Sequence, residues 1–242
     1  MIQYNRRQSI LQLLEQNGSA TVRQIAQAIY TSEASVRRDL EALEDDGYVR
    51  RVYGGAVLAK ADNHITPVGL RDADNAAEKN LIAKRAAEMI PDGSTIILDA
   101  SSTTRRILKY LDSKHGLRIF TNNLRIFEEI GSLDAQVYCT GGCYNRQNHA
   151  FVGPAAERFI GSVCADILFF SSQAISLDGE ISDVSEEETA LRRVMLSRAK
   201  KKVFLCDGSK IGASRDFTLC TKDDVDVILC NVPLPWEREQ TV

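Results

Sequence analysis

Apolar side chains in the first quarter of the chain recur at helical spacing in three successive stretches, with polar punctuation between them. Ile10, Leu11, Leu13 and Leu14 supply the apolar face of a helix predicted over 5–16, which Asn17-Gly18 ends. Val22, Ile25, Ala26 and Ile29 share one face of a second, shorter helix, and Tyr30-Thr31 follows as a tight turn. Ser32 is placed to N-cap a third helix that closes near Gly47, with Val36, Leu40 and Leu43 facing inward. Ser35 and Arg38 then fall on the opposite face, and Arg37 on its border. The segment 48–56 alternates and ends in Gly54-Gly55, as a small β-hairpin does.

From Val57 to about Ala77 the periodicity fades into Lys, Asp, Asn, His, Pro67 and Gly69, which predicts a connecting segment. Beyond it strands and helices alternate. Helices are predicted over 81–90, 102–111, 123–130 and 186–199, and strands over 94–99, 117–121, 135–140, 165–171, 202–207 and 225–230. That alternation predicts a mostly parallel α/β sheet with helices on both faces, in which ligands bind beyond the carboxyl ends of the strands. The expected organisation is an N-terminal winged helix-turn-helix domain over 1–56, a linker over 57–77, and a C-terminal Rossmann-like α/β domain over 78–242.

Length and charge add limits. A chain of 242 residues suits two modest domains. No run is long and apolar enough to span a bilayer, and the start lacks the plan of a signal peptide, so a cytoplasmic location is expected. Cys139, Cys164, Cys206 and Cys230 sit in mostly apolar runs, where a thiol packs as a small hydrophobe, and Cys139 and Cys143 lack the partners of a zinc site. Neither metal nor cofactor is expected. Residues 1–55 balance seven Arg against seven Asp or Glu, so placement matters more than net charge. Ser32, Ser35, Arg37 and Arg38 on the third helix, with Arg50 and Arg51 on the hairpin, are the candidate contacts to double-stranded DNA. A module of this shape that binds only protein is the alternative, and it leaves the second domain's polar turns unexplained. One winged helix covers little DNA, so a symmetric homo-oligomer, a dimer or tetramer, is expected.

Those polar turns end the predicted strands. Asp99-Ala-Ser-Ser-Thr-Thr104 follows a strand and opens a helix, where Ser101, Ser102, Thr103 and Thr104 offer hydroxyls and backbone N–H groups to an anion such as phosphate. There is no G-x-G-x-x-G and no Walker-type lysine, which disfavours nucleotide cofactors. Thr121-Asn122-Asn123, Gly141-Gly142 and Asp207-Gly-Ser-Lys210 end other strands, and Lys210 adds a cation. Together they predict a pocket for a phosphorylated polar ligand, with Asp99 or Asn122 on its hydroxyls. Glu188, early in its helix, is a further candidate.

With both halves read, the chain resembles the DeoR family of bacterial sugar-metabolism regulators over nearly its whole length. The matching stretches are S-E-A-S-V-R-R-D-L-E-A-L-E (32–44), R-R-V-Y-G-G-A (50–56), E-K-N-L-I-A (78–83), D-A-S-S-T-T (99–104), T-N-N (121–123), G-G (141–142) and D-G-S-K (207–210). The resemblance implies a winged-helix DNA reader, a domain that senses a phosphorylated sugar, and repression of a carbohydrate-utilisation operon. By the same match Ser35, Arg37 and Arg38 become reading residues. Asp99, Ser101–Thr104, Thr121, Asn122, Gly141, Gly142 and Lys210 become the effector site. Where the family's phosphate loop usually has Gly-Thr, this chain has Ser101-Ser102. The second half is also similar to ribose-5-phosphate isomerase, which makes an isomerase-like enzyme the rival. That enzyme carries acid–base carboxylates after a buried strand, whereas here the strand runs into Ser171-Ser-Gln-Ala-Ile175, so no catalytic residue is expected.

Overall fold

The computed structural model describes residues 2–45, 48–58, 74–131 and 133–236. The chain divides into two compact units, Met1–Leu70 and Arg71–Val242.

The first unit holds α1 (Ile2–Asn17), β1 (Ser19–Thr21), α2 (Val22–Ala28), α3 (Glu33–Asp45), β2 (Val49–Val52) and β3 (Gly55–Leu58). Ile10, Leu11, Leu14, Val22, Ile25, Val36, Leu40 and Leu43 close into its core, while Leu13 and Ile29 pack at the edge. The expected closure of the third helix near Gly47 lies outside the described residues. β1 was not expected. It adds to the hairpin to make an antiparallel sheet ordered β1-β3-β2. This third strand explains Gly55, because a Cβ there would stand 2.3 Å from the Ala20 carbonyl oxygen. Thr21 ends β1 and starts α2 with a capping box. Its hydroxyl accepts the Gln24 N–H at 3.2 Å, and Gln24 Oε1 accepts the Thr21 N–H at 2.8 Å. On α3, Asp39 is buried and paired with Arg6 and, at 3.5 Å, with Arg7 of α1.

The second unit is built on a six-stranded parallel sheet ordered β14-β12-β9-β4-β5-β6. Its strands are β4 (Thr95–Leu98), β5 (Leu117–Thr121), β6 (Ala135–Cys139), β9 (Ala165–Phe170), β12 (Ala199–Cys206) and β14 (Val227–Cys230). Alternate residues feed two cores. Ile96, Leu98, Ile167, Phe169, Val203 and Leu205 pack with Ile82, Ala83 and Ala86 of α4 (Ala76–Glu88). Ile97, Leu168, Phe170 and Phe204 pack with Ala156 and Ile160 of α7 (Pro154–Gly161) and Leu191 and Met195 of α8 (Glu186–Arg198).

Several sequence-based expectations are corrected. α4 starts at Ala76 rather than Leu81. The helix expected over 102–111 is one α-turn, α5 (Ser102–Arg105), followed by a 3-10 helix over Arg106–Tyr110. Thr104 spends its hydroxyl locally, on Asp99 and Ser101, and such bonds compete with regular helix. The helix expected over 123–130 shrinks to α6 (Ile126–Glu129). Three features went unpredicted. They are the hairpin β7 (Cys143–Asn145) and β8 (Ala150–Val152), helix α7 with Pro154 at its start, and an antiparallel sheet of β10 (Ala174–Ile175), β11 (Glu180–Asp183) and β13 (Phe217–Thr221). No helix among the described residues is long and apolar enough to cross a membrane.

Replacing Thr21 by alanine is expected to cost the first unit about 1 kcal/mol. Hydrogen exchange at the amides of α2, in the full chain, measures it. Protection equal to the parent's would show that the cap contributes nothing.

Candidate functional site

In the second unit a cavity of about 380 Å³ opens beyond the carboxyl ends of β4, β9 and β12, where an α/β sheet binds its ligands. Ser101 and Ser102 follow β4, Ser171, Ser172 and Gln173 follow β9, and Asp207, Ser209 and Lys210 follow β12. Asp74, Asn75 and Lys79 from the start of α4, with Asp183, Arg192 and Arg215, complete the wall.

Arg192 organises this end of the sheet. It is 4 % exposed and points its guanidinium at three buried carboxylates. Nε bonds Asp99 at 2.8 Å, Nη1 bonds Asp183 at 3.0 Å and Nη2 bonds Glu188 at 2.9 Å. Burial works against its charge, but Asp183, Asp99 and Glu188 outweigh that and raise its pKa above the usual value. Glu188 also accepts from Asn148 on the loop of the β7–β8 hairpin. The Asp99 oxygens are occupied throughout. Oδ1 takes the Ser101 N–H at 3.0 Å and the Thr104 hydroxyl at 2.8 Å, and Oδ2 takes the Ser171 N–H at 3.2 Å besides Arg192. Asp99 thus shapes the loop and has no acceptor left for a ligand hydroxyl. This corrects the expectation that it holds one.

Of the effector residues expected from the sequence, the cavity gathers Ser101, Ser102 and Lys210. Asp99, Thr103 and Thr104 are buried without lining it. Thr121, Asn122, Gly141 and Gly142 do not line it either. Asn122 fastens the β7–β8 hairpin, Gly142 packs closely against its end at Val152, and Thr121 bonds the end of β6. Asn122 Nδ2 donates to the Phe151 carbonyl at 3.0 Å, the Phe151 N–H donates to Asn122 O at 2.8 Å, and the Thr140 N–H donates to Thr121 O at 2.9 Å. Gly141 and Gly142 have φ of 60° and 115°, and a Cβ on Gly142 would meet the Val152 carbonyl oxygen at 2.8 Å. The turns at 121–123 and 141–142 end β5 and β6, at the far side of the sheet from β12.

The cavity's cations came mainly from outside that list. Lys79 donates to the Asp74 carbonyl at 2.7 Å, and burial next to Lys210 pulls its pKa down to about 8. Lys210 donates to the Ser171 hydroxyl at 2.7 Å, which itself donates to Leu205 O at 2.6 Å. Lys79 lies in the E-K-N-L-I-A stretch, which was legible as a motif but not as a pocket wall. Arg192 was legible only as the partner of Glu188 four residues earlier. Arg215, Ser171, Ser172 and Gln173 carried no signal of their own. Among the described residues no group of three or more His, Cys, Asp or Glu is arranged to hold a metal ion.

In the first unit the candidate DNA contacts separate into two groups. Ser32 Oγ accepts the Ser35 N–H at 3.2 Å and lies 3.0 Å from Ser35 Oγ, so it caps α3. Arg38 and Arg50 are exposed, and Arg38 makes a long 3.5 Å contact to its own helix at Ala34 O. Arg37 is exposed and pairs with Glu33 at 3.2 Å. Arg51 is differently placed. Its N–H and Nε donate to Glu44 at 2.8 and 2.6 Å, which lowers the Glu44 pKa and clamps the hairpin to α3. Tyr53 is fully exposed at the hairpin tip.

Two family models match the chain. Residues 6–62 match the DeoR-like helix-turn-helix domain and residues 74–231 the DeoR C terminal sensor domain. Among curated proteins it is similar to the HTH-type transcriptional regulator GolR of Listeria innocua, 32% identical over 95% of this chain and 91% of the relative. It is similar to the transcriptional repressor AccR of Agrobacterium fabrum, 32% identical over 93% and 88%. A putative aga operon transcriptional repressor of Escherichia coli O157:H7 is 30% identical over 95% and 87%. Among solved structures, the sorbitol operon regulator SorC of Klebsiella pneumoniae aligns at a TM-score of 0.42, with 12% identity over 93% of this chain and 96% of that one. Ribose 5-phosphate isomerase A of Neisseria gonorrhoeae aligns at 0.41, with 15% identity over 57% and 53%.

Two measurements test the electrostatics. Arg192→Met strands three buried carboxylates and is expected to destabilise the chain by about 3–5 kcal/mol in urea unfolding at neutral pH. Inorganic phosphate, titrated by calorimetry, should bind more weakly as pH rises through about 8, where Lys79 loses its proton. Folding shows the opposite sign. The folded pKa lies below the ordinary 10.5, so the cost of burying this ammonium is complete below pH 8 and fades as pH rises to 10.5. A phosphate affinity independent of pH between 7 and 9 would remove Lys79 from the anion site.

Proposed function

The chain belongs to the DeoR family of transcriptional regulators, and from that premise we propose that it represses a carbohydrate-utilisation operon under the control of a phosphorylated sugar held in the cavity of its second unit. It is a DNA-binding regulator and not an enzyme, as its relatives are regulators and repressors. On this proposal residues 1–56 are the reader, 57–77 the connection and 78–242 the sensor, with Asp74 and Asn75 of the connection already lining the cavity. The protein works in the cytoplasm, as a homo-oligomer joined through the sensor so that the reader stays free for DNA.

The observation that carries the effector assignment is the composition of the cavity wall. Among serine hydroxyls and the Ser101–Ser102 backbone, Lys79, Arg192, Lys210 and Arg215 outnumber the wall's carboxylates, Asp74, Asp183 and Asp207, and Asp183 is already paired with Arg192. α5 is a single turn, so the lysines rather than a helix dipole supply most of the attraction for a dianion. Asp207 replaces Asp99 as the acceptor for sugar hydroxyls. It lines the cavity, and its Oδ2 has no hydrogen-bond partner among the described residues. In the reader, Ser35, Arg37 and Arg38 face the major groove, while Arg50 takes phosphate. Arg51 acts through its clamp on Glu44, which fixes the hairpin's angle to α3.

Arg38→Ala should weaken binding to the DNA upstream of the protein's own operon by about 1–3 kcal/mol if Arg38 reads a guanine edge. Fluorescence anisotropy decides it, and equal affinity would sink the assignment. For the sensor, calorimetry with pentose and hexose monophosphates and their unphosphorylated parents is the test. The phosphates should bind more tightly by a factor on the order of a hundred, since a charge-assisted contact to each lysine is lost without the phosphate. Equal binding of a free sugar would show the cations to be structural.

A further inference from the structure

The start of α4 is fastened to the turn after β12 by one side chain. Asn75 stands in the N-cap position of α4 with φ 51° and ψ 39°, a left-handed backbone, and its side chain makes no cap bond. Its amide instead crosses to the turn, where Nδ2 donates to Asp207 Oδ1 at 3.2 Å and to Ser209 Oγ at 3.1 Å. Asparagine tolerates this left-handed backbone better than most side chains, and here its amide is used on the turn after β12 rather than on the end of its own helix.

All three partners line the same cavity. Asp207 is 1 % exposed and unevenly used. Oδ1 receives Asn75, the Ser209 N–H and the Ser209 hydroxyl, while Oδ2 has no hydrogen-bond partner among the described residues. A buried carboxylate oxygen without a donor is costly, and a hydroxyl-bearing molecule in the cavity supplies one. Once Asp207 turns toward that donor, and Ser209 toward the same molecule, the acceptors of the Asn75 amide are drawn away. Asn75 follows directly on the stretch that joins the sensor to the reader in sequence.

We propose that Asn75 is a coupling residue: its bond to Asp207 and Ser209 competes with the ligand for the same two groups, so occupancy of the cavity releases the start of α4 and thereby the connection to the DNA reader. This rests on the cavity being the effector site. It names the device by which binding there is felt elsewhere. Coupling of this kind needs an element that both ligands bias, and the 74–79 segment qualifies because Lys79, through its bond to the Asp74 carbonyl, ties the same stretch to the cavity wall.

The test uses the full chain, the DNA upstream of its own operon, and as probes inorganic phosphate with a set of pentose and hexose monophosphates. Asn75→Gly keeps the backbone angle, which glycine adopts freely, and deletes only the amide. Circular dichroism confirms that it folds. With the competing amide gone, the variant should bind the best probe at least as tightly as the parent, yet lose most of the probe's effect on operator affinity, an effect that falls between about 5-fold and 150-fold in typical regulators. Asn75→Asp sets a carboxylate against Asp207 and should leave operator affinity near the parent's probe-saturated value without any probe. A parent-sized effect in Asn75→Gly overturns the proposal. Loss of probe binding in Asn75→Gly also overturns it, because Asn75 would then be a ligand contact. Failure of the parent to bind any probe refutes the effector reading itself, and binding without change in operator affinity refutes the coupling alone.

Discussion

One buried guanidinium holds the sensor's working end together. Arg192 gathers Asp99 from the end of β4, Asp183 from the end of β11 and Glu188 from its own helix, and through Glu188 it reaches Asn148. Parallel strands present their carboxyl ends as separate loops, each with unpaired backbone groups. Three carboxylates converging on one cation turn those loops into a single surface. The arrangement also explains why Asp99, at the head of the most conspicuous polar motif, is unavailable to a ligand. Its oxygens hold Ser101, Thr104, Ser171 and Arg192 in place.

The net charge of this cluster is negative, and the cavity above it is balanced by lysines. Burial lowers the Lys79 pKa, and the nearby charge of Lys210 lowers it further. A doubly charged anion relieves that repulsion, whereas a neutral sugar cannot. Carboxylate, hydroxyl and ammonium in one concavity therefore suit a molecule with both a phosphate and hydroxyl groups.

The first unit applies the same economy. Glu44 near the end of α3 holds Arg51 of β2, and Asp39 holds Arg6 and Arg7 of α1. These two acids fix the elements beside α3. Arg38 and Arg50 remain outward, so a module with no net positive charge still presents cations at its surface.

Periodicity and punctuation were enough to determine the helices and hairpin of the reader, the parallel α/β sheet and the Ser101–Ser102 loop, because those depend on which residues share a face of one element. Val36, Leu40 and Leu43 reveal their helix from spacing alone, and Asp207-Gly-Ser-Lys210 marks a strand end by composition. Tertiary structure decided the rest. Thr121-Asn122 and Gly141-Gly142 read like ligand loops because polar and glycine turns serve hairpins and ligands equally well. Only the strand order, with β5 and β6 far from β12, set them beside the β7–β8 hairpin. Arg192 looked like an ordinary helix residue, Lys79 stood just before a predicted helix and Asn75 lay in the expected linker. Each became part of the site through a partner distant in sequence, at Asp99, Lys210 or Asp207, and no local pattern encodes a contact made across a fold.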